Sequence, residues 1–336
     1  MNRAVSRRSV DPLRGHSRAA IVLCCAALAG APAFAQAQRF PERPIRLIVP
    51  IAPGGGLDTI ARAVSQKLTD DLGQTIVVDN RPGASGAIAV ELAKLAAPDG
   101  HTILMISATQ VIRPLLYKVP YDLRGEFAPI TQLSAQSYVL MAGNALPVKS
   151  VRELIAHAKA NPGKLNYASV GQGSQIHLTT ELFRTLTGIR VVHVPYKGIG
   201  AAYPDVFSGN IHFLFGGIIS ALAHLKAGRL RALAVSGAKR IPALPHLPTV
   251  AEAGVPGFAV SQWYGLLAPA GTPRDRIEFL NRAINAALRQ PAVAGRIAAE
   301  GSEAVGSTPA ELAAIIRAER AKWARVIRES GIRRDG

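Results

Sequence analysis

Cysteine is nearly absent from this 336-residue chain: there are two, Cys24 and Cys25, and both sit in the first apolar run. With that run removed, no disulfide and no thiolate metal site can form. The histidines form no His-Glu-x-x-His pair, and His193, His212 and His224 lack metal-ligand spacing. No cofactor motif is present, so none is expected. Aromatic residues make up only 5 % of the chain, and no stacking platform interleaves with the arginines. Nucleic acid is therefore not an expected partner, although the formal charge of +17 would suit one. Beyond the N-terminal segment no uncharged apolar run is long enough to span a bilayer.

What is present begins with a leader. Arg3, Arg7, Arg8, Arg14 and Arg18 precede an apolar run from Ala19 to Ala29, and Ala33-Phe34-Ala35 follows as a small-x-small cleavage site. A secretory signal peptide over residues 1–35 is expected, with export of a soluble mature chain. Leu23 before Cys24 is a poor lipobox, and Ser9-Val10-Asp11-Pro12 continues the twin arginine badly. Removing those 35 residues takes away five Arg and one Asp, so 34 basic less 21 acidic residues leaves +13. Scattered along helical stretches, these charges read as a solvated surface that raises the local concentration of anionic solutes.

The chain is organised around Ile48-Val-Pro-Ile-Ala-Pro-Gly-Gly-Gly-Leu-Asp-Thr59. Ile45 to Ile51 has the β-branched character of a strand covered on both faces. Gly54, Gly55 and Gly56 then permit φ > 0 and close approach of a ligand to the backbone. A helix opens at Leu57 or Asp58, with Ile60, Ala61, Val64 and Leu68 on one face. Such a loop is either a tight turn that needs glycine for geometry alone, or a seat for a carboxylate or phosphate on free helix amides. It lacks the Gly-Lys-Ser/Thr ending of a P-loop and does not fit Gly-x-Gly-x-x-Gly.

The pattern then alternates. Strands are expected at 75–79, 101–107, 127–133, 138–142, 165–168, 191–195, 211–215 and 230–235, with helical stretches between them and after Arg274. Ser107-Ala108-Thr109 falls at the carboxyl end of a strand, where open α/β sheets bind ligands. Ser169-Val-Gly-Gln-Gly-Ser-Gln-Ile-His-Leu178 repeats the device of a glycine loop opening a helix. Tyr196-Lys-Gly-Ile-Gly200 ends another strand with an aromatic and a cation that could meet a carboxylate. Residues 236–255, with four prolines nearby, read as a long irregular surface segment. Ser174 and His177 can be read as nucleophile and base of a hydrolase, or as a helix cap beside a packed imidazole. No Gly-x-Ser-x-Gly elbow supports the first.

Several motifs in order carry a resemblance: Ile-Val-Pro-x-x-Pro-Gly-Gly-Gly-x-Asp, Val78-Asp-Asn-Arg-Pro-Gly-Ala84, Pro98-Asp-Gly-His-Thr-Ile-Leu104, Val194-Pro-Tyr-Lys-Gly198 and Leu247-Pro-Thr-Val-Ala-Glu-Ala-Gly254. From about Arg43 onward the chain resembles the Bug family, periplasmic solute receptors of tripartite tricarboxylate transporters. The resemblance implies an α/β, two-domain periplasmic-binding-protein fold of the Venus-flytrap type II class, each domain a central sheet flanked by helices. It places residues 36–137 with 264–336 in one domain and 138–263 in the other, the ligand between them. It implies a monomer without catalytic activity, binding a small carboxylate and serving membrane subunits of a transporter or, alternatively, a sensor protein. Carried over by position, Pro53, Gly54, Gly55, Gly56, Asp58, Ser107, Thr109, Ser169, Gly171, Gly173, Ser174, Tyr196 and Gly198 line the cleft, with Asp58 fixing its loop. Relatives often carry Phe at Ile51, Thr, Ser or Asn at Leu57 and an Asp after the strand where this chain has Phe215-Gly216-Gly217; the fewer polar groups point to an acid with an apolar or aromatic body.

Overall fold

The computed structural model describes residues 40–54 and 56–332; the expected leader and Gly55 lie outside the described residues. Strand β1 (Ile45–Val49) is the centre of a parallel trio with β2 (Ile76–Asn80) and β3 (Thr102–Ser107). Its Ile45, Leu47, Ile48 and Val49 are all buried, as an apolar run between two helical layers must be. Helices α1 (Gly56–Leu72) and α2 (Ala87–Lys94) connect the trio. The expected face of α1 is the buried one, with Ile60, Ala61, Val64 and Leu68 each at most 2 % exposed.

One long strand then carries the chain onward. The sequence pattern predicts two strands over 127–142, whereas the structure has a single 17-residue strand, β4 (Phe127–Gly143). The polar stretch between the expected strands stays extended because β9 (Ser261–Pro269) pairs with it from Phe127 to Ser137 and β10 (Glu303–Ala304) pairs at Ser134 and Ala135. Register shifts between Pro129 and Thr131 and between Gln132 and Ser134 bend the strand and accommodate its proline.

At Tyr138, β4 changes partners. From there it pairs antiparallel with β7 (Phe213–Gly217) and β8 (Leu230–Val235). Beyond β7 lie β5 (Asn166–Ser169) and β6 (Val192–Pro195), both parallel to it in sense. The strand order is β2-β1-β3-β9-β4-β7-β5-β6, with β8 and β10 paired to β4 off this path. The sheet therefore has a first half, on β9 and the early part of β4, and a second half, on the later part.

Ser236 ties the two chain passages at this switch. Its hydroxyl accepts from the Tyr138 amide at 2.8 Å and donates to the Val260 carbonyl at 2.6 Å. Its own amide donates to Tyr138 O, and its carbonyl accepts from the Val260 amide. Residues 236–255 contain neither helix nor strand, as expected, but they are not all surface: Ser236, Leu247, Thr249, Val250 and Val255 are buried.

Helices flank both halves. They are α3 (Ala108–Leu116), α4 (Val151–Ala160), α5 (Gln175–Thr187), α6 (Tyr203–Ser208), α7 (Ile218–Lys226), α8 (Arg274–Leu288), α9 (Pro291–Ala299) and α10 (Pro309–Ser330). The last packs on α3 and β4 and on α5, so it touches both halves. Trp323 anchors it, fully buried, with its indole N–H on Glu319 at 2.8 Å.

Candidate functional site

In the first half, three loops gather at the carboxyl ends of β1, β2 and β3. Asp58, 3 % exposed, turns inward from the first turn of α1. Its carboxylate accepts from the Gly54 amide at 2.9 Å, from Arg62 Nε at 3.0 Å and from Asn80 Nδ2 at 2.9 Å. Burial alone would raise its pKa, but the hydrogen bonds from Arg62, Gly54 and Asn80 outweigh it and hold the group below the ordinary value. Asn80 also donates to Ile51 O, so the glycine loop is clamped from behind on both sides. Pro53 and Gly54, the latter at φ 91°, stay exposed. Asp58 thus fixes the loop by local bonds, as expected.

Ser107 caps α3. Its hydroxyl accepts from the Thr109 amide at 3.2 Å, and its N–H and O–H both donate to Gln110 Oε1. The Gln110 amide nitrogen reaches across to Ser85 O at 3.1 Å, in a loop where Ala84 and Ser85 hold positive φ. Thr109 is exposed beside it. Ser107 and Gln110 form a local Ser-x-x-Gln capping box, but the reach of Gln110 to Ser85 has no local signal, because that loop lies 25 residues away.

In the second half, the Ser-Gly loop follows β5. Ser169, fully buried, accepts from the Gly171 amide at 3.1 Å, and its Oγ lies 2.6 Å from His193 Nε2. His177 Nδ1 accepts from the Gly173 amide at 3.0 Å, and the two imidazoles stack with centroids 4.0 Å apart. Behind them Tyr167 donates to Glu181 at 2.7 Å, and Arg184 pairs with Glu181. Burial, then the neighbouring His193 and Arg184, push the His177 pKa down to about 3, so both ring and loop stay uncharged.

Ser174 and His177 are not arranged as nucleophile and base. Ser174 Oγ accepts from the His177 backbone amide at 3.2 Å as the cap of α5, and the ring's Nδ1 is taken by Gly173. Tyr196 sits next to this loop, its amide donating to Ser169 O. Its hydroxyl donates to Asp205 at 2.6 Å, and burial followed by that carboxylate pushes its pKa up to about 12. The Tyr196 ring is half-buried and packs against the apolar cluster of the second half. Gly198, with extended φ, opens the short 3-10 turn that follows.

Residues unmarked in the sequence join the halves. Tyr138 donates its hydroxyl between Gln175 and Gln262, each at 3.2 Å, while Gln262 donates to Tyr264 at 2.7 Å. Tyr264 stands opposite Ser107 in the backbone register of β9 and β3, so these side chains start at the first turn of α5 and end on the strand beside β3. Burial and the charge of Glu300 push the Tyr264 pKa up to about 12. The Glu300 carboxylate lies against Gly56, where a Cβ would stand 3.0 Å from its Oε2. No local pattern flags it, since it arrives from the end of α9.

The chain is similar to known proteins over most of its length. The family model for the tripartite tricarboxylate transporter family receptor matches residues 60–332. Protein BugT of Bordetella pertussis is 39 % identical over 308 residues, 91 % of this chain and 94 % of BugT. An R. palustris protein solved with adipate superposes with a TM-score of 0.73 at 35 % identity, over 88 % of this chain and 99 % of that one. MatC of Rhodopseudomonas palustris with bound malate gives 0.68 at 32 % identity, over 86 % and 100 %. The expected α/β periplasmic-binding-protein fold is thus the one observed. Sequence motifs, fold and relatives agree that the chain belongs to the tripartite tricarboxylate transporter receptor family, the Bug solute-binding proteins.

Proposed function

We propose that this receptor binds a small organic acid between the two halves of its sheet, in the periplasm, and delivers it to the membrane subunits of a tripartite transporter. The observation that carries the reading is the paired construction of the loops. In each half a glycine loop at the carboxyl ends of parallel strands is held from behind, by Asp58 in one and by Ser169 and His177 in the other. Amides and hydroxyls of such loops suit a carboxylate. Adipate and malate in the two solved relatives support that ligand class.

The residues assigned to the ligand are Pro53, Gly54, Gly55, Gly56, Ser107, Thr109, Ser169, Gly171, Gly173, Ser174, Tyr196 and Gly198, with Asp58 as the clamp. The two halves act as lobes, 36–137 with 264–336 and 138–263. The change of partners on β4 at Tyr138 supports that division. Closing the lobes on the acid presents the form that a membrane partner reads.

The test is a thermal-shift screen of the mature protein, refolded to strip co-purified ligand, against mono-, di- and tricarboxylates, aromatic acids and amino acids. Ligand at a hundredfold over its dissociation constant stabilises by about 2.7 kcal/mol, a rise of several degrees. A response confined to one acid class supports the reading and names the class. Indifference to every acid refutes it.

A further inference from the structure

A cavity of about 660 Å³ lies beside the crossing, and none of the residues assigned to the carboxylate line it. Its floor is Gln136 and Ser137, on the stretch of β4 where partners change. One wall belongs to the second half: Ile218, Ile219 and Leu222 of α7, with Ile241 and Pro242. The opposite wall belongs to the first half and presents Ala294 and Ala298, four apart on one face of α9. Ile219 is 50 % exposed, a large apolar side chain left uncovered at this wall.

The two walls meet at Gly301. A Cβ there would stand 2.6 Å from Ile218 and 2.8 Å from Gln136, so the glycine lets the 301–304 segment run directly against α7. The volume falls within the range of small-molecule sites, which are apolar with a few polar groups. The charges at the rim decide the class of occupant. Arg240 is already paired with Glu252 at 2.9 Å. Lys239 and Glu303 have no ion-pair partner among the described residues and carry opposite signs. Their opposite charges leave the rim with no preference for an anion or a cation, so the apolar walls set the class, and an uncharged body gains them without giving up the hydration of a charge.

We propose that this cavity is a second binding site, for an uncharged, largely apolar small molecule of aromatic size, whose occupant bridges the two halves of the sheet beside their crossing. The site does not depend on the carboxylate reading, and neither does its test.

The mature protein is titrated with N-phenyl-1-naphthylamine, a neutral probe that brightens in apolar surroundings. Saturable one-to-one binding is expected, weakened at least tenfold in Ala298→Phe and in Ala294→Phe, which fill the cavity from the surface of α9. Ser174→Ala, in the carboxylate loops, should bind the probe as the parent does. Anilinonaphthalene sulfonate, of the same ring size but anionic, should bind at least tenfold more weakly, and this comparison needs no variant to fold. Failure to saturate, undiminished binding in both filled variants, equal loss in Ser174→Ala, or preference for the anionic probe would each overturn the proposal.

Discussion

At the scale of single residues, Asp58 shows how a buried carboxylate can hold a glycine loop from behind. Its oxygens are committed to Gly54, Arg62 and Asn80, so its charge is compensated within the protein while the outer face of the loop stays open. Asp58→Asn keeps the shape but puts an N–H₂ opposite donors. It should destabilise by about 1–3 kcal/mol, the cost of leaving such groups unpaired, and weaken acid binding. Urea unfolding and the thermal-shift response read the two effects separately. The sign of its pH dependence follows from the lowered pKa: stability is complete above the unfolded value of 3.8 and is lost as pH falls through the lower folded value.

His177 acts over a different range. Its folded pKa is about 3 and its unfolded value 6.5, so between them the unfolded chain binds more protons. Its contribution is therefore complete above pH 6.5 and drains away as the medium is acidified toward 3. Between pH 7 and 4 the parent should lose on the order of 1–3 kcal/mol more than His177→Gln, whose amide oxygen can still accept from Gly173. Melting curves of the two proteins across that range make the comparison. A parallel decline in both would remove His177 as the cause.

At the scale of elements, α3 illustrates what sequence pattern conceals. Pro114 lies inside it, which argues against a helix because the residue lacks an N–H for the Gln110 carbonyl. The structure supplies that carbonyl with the Tyr121 hydroxyl at 3.3 Å, a partner no local rule would nominate. The glycine loop and Asp58 were legible because their chemistry is local: three glycines, then a carboxylate four residues from Gly54. Ser174 as a cap was legible for the same reason. The bond from Gln110 to Ser85, Glu300 beside Gly56 and the bonds from Tyr138 through Gln262 to Tyr264 were not, because each takes its meaning from chain far away in sequence. The single β4 was missed because its polar middle, Ser134 to Ser137, is sustained by strands that follow more than a hundred residues later.

Gly86 offers a test at this scale. It holds φ 88°, and a Cβ there would stand 2.4 Å from Gln110 Nε2 and 2.9 Å from Pro50. Gly86→Ala should therefore cost about 1–3 kcal/mol, combining backbone strain with displacement of Gln110. The expected signature is a lower urea midpoint together with faster amide exchange at Ser107, whose N–H rests on Gln110.

At the scale of the whole molecule, the crossing holds the halves together. Ser236→Ala leaves the Tyr138 amide and the Val260 carbonyl each without one buried partner. A loss of about 1–3 kcal/mol is expected, with amide exchange at Tyr138 rising before that of the strands on either side. Exchange measured by NMR on the unliganded protein would show it. If Tyr138 stayed as protected as in the parent, the serine would be a passenger at the crossing.

The same serine sets where this receptor can be cut and rejoined. Tyr138 and Val260 begin and end an uninterrupted run of chain, and one hydroxyl bonds to the backbone of both. The ends of that run are thus no farther apart than two hydrogen bonds, close enough for a short peptide to splice. Residues 138–260 are in effect a cassette with adjacent terminals. Exchanging it between relatives would graft one receptor's half onto another with only two junctions to repair, both at a place where the backbone already meets itself.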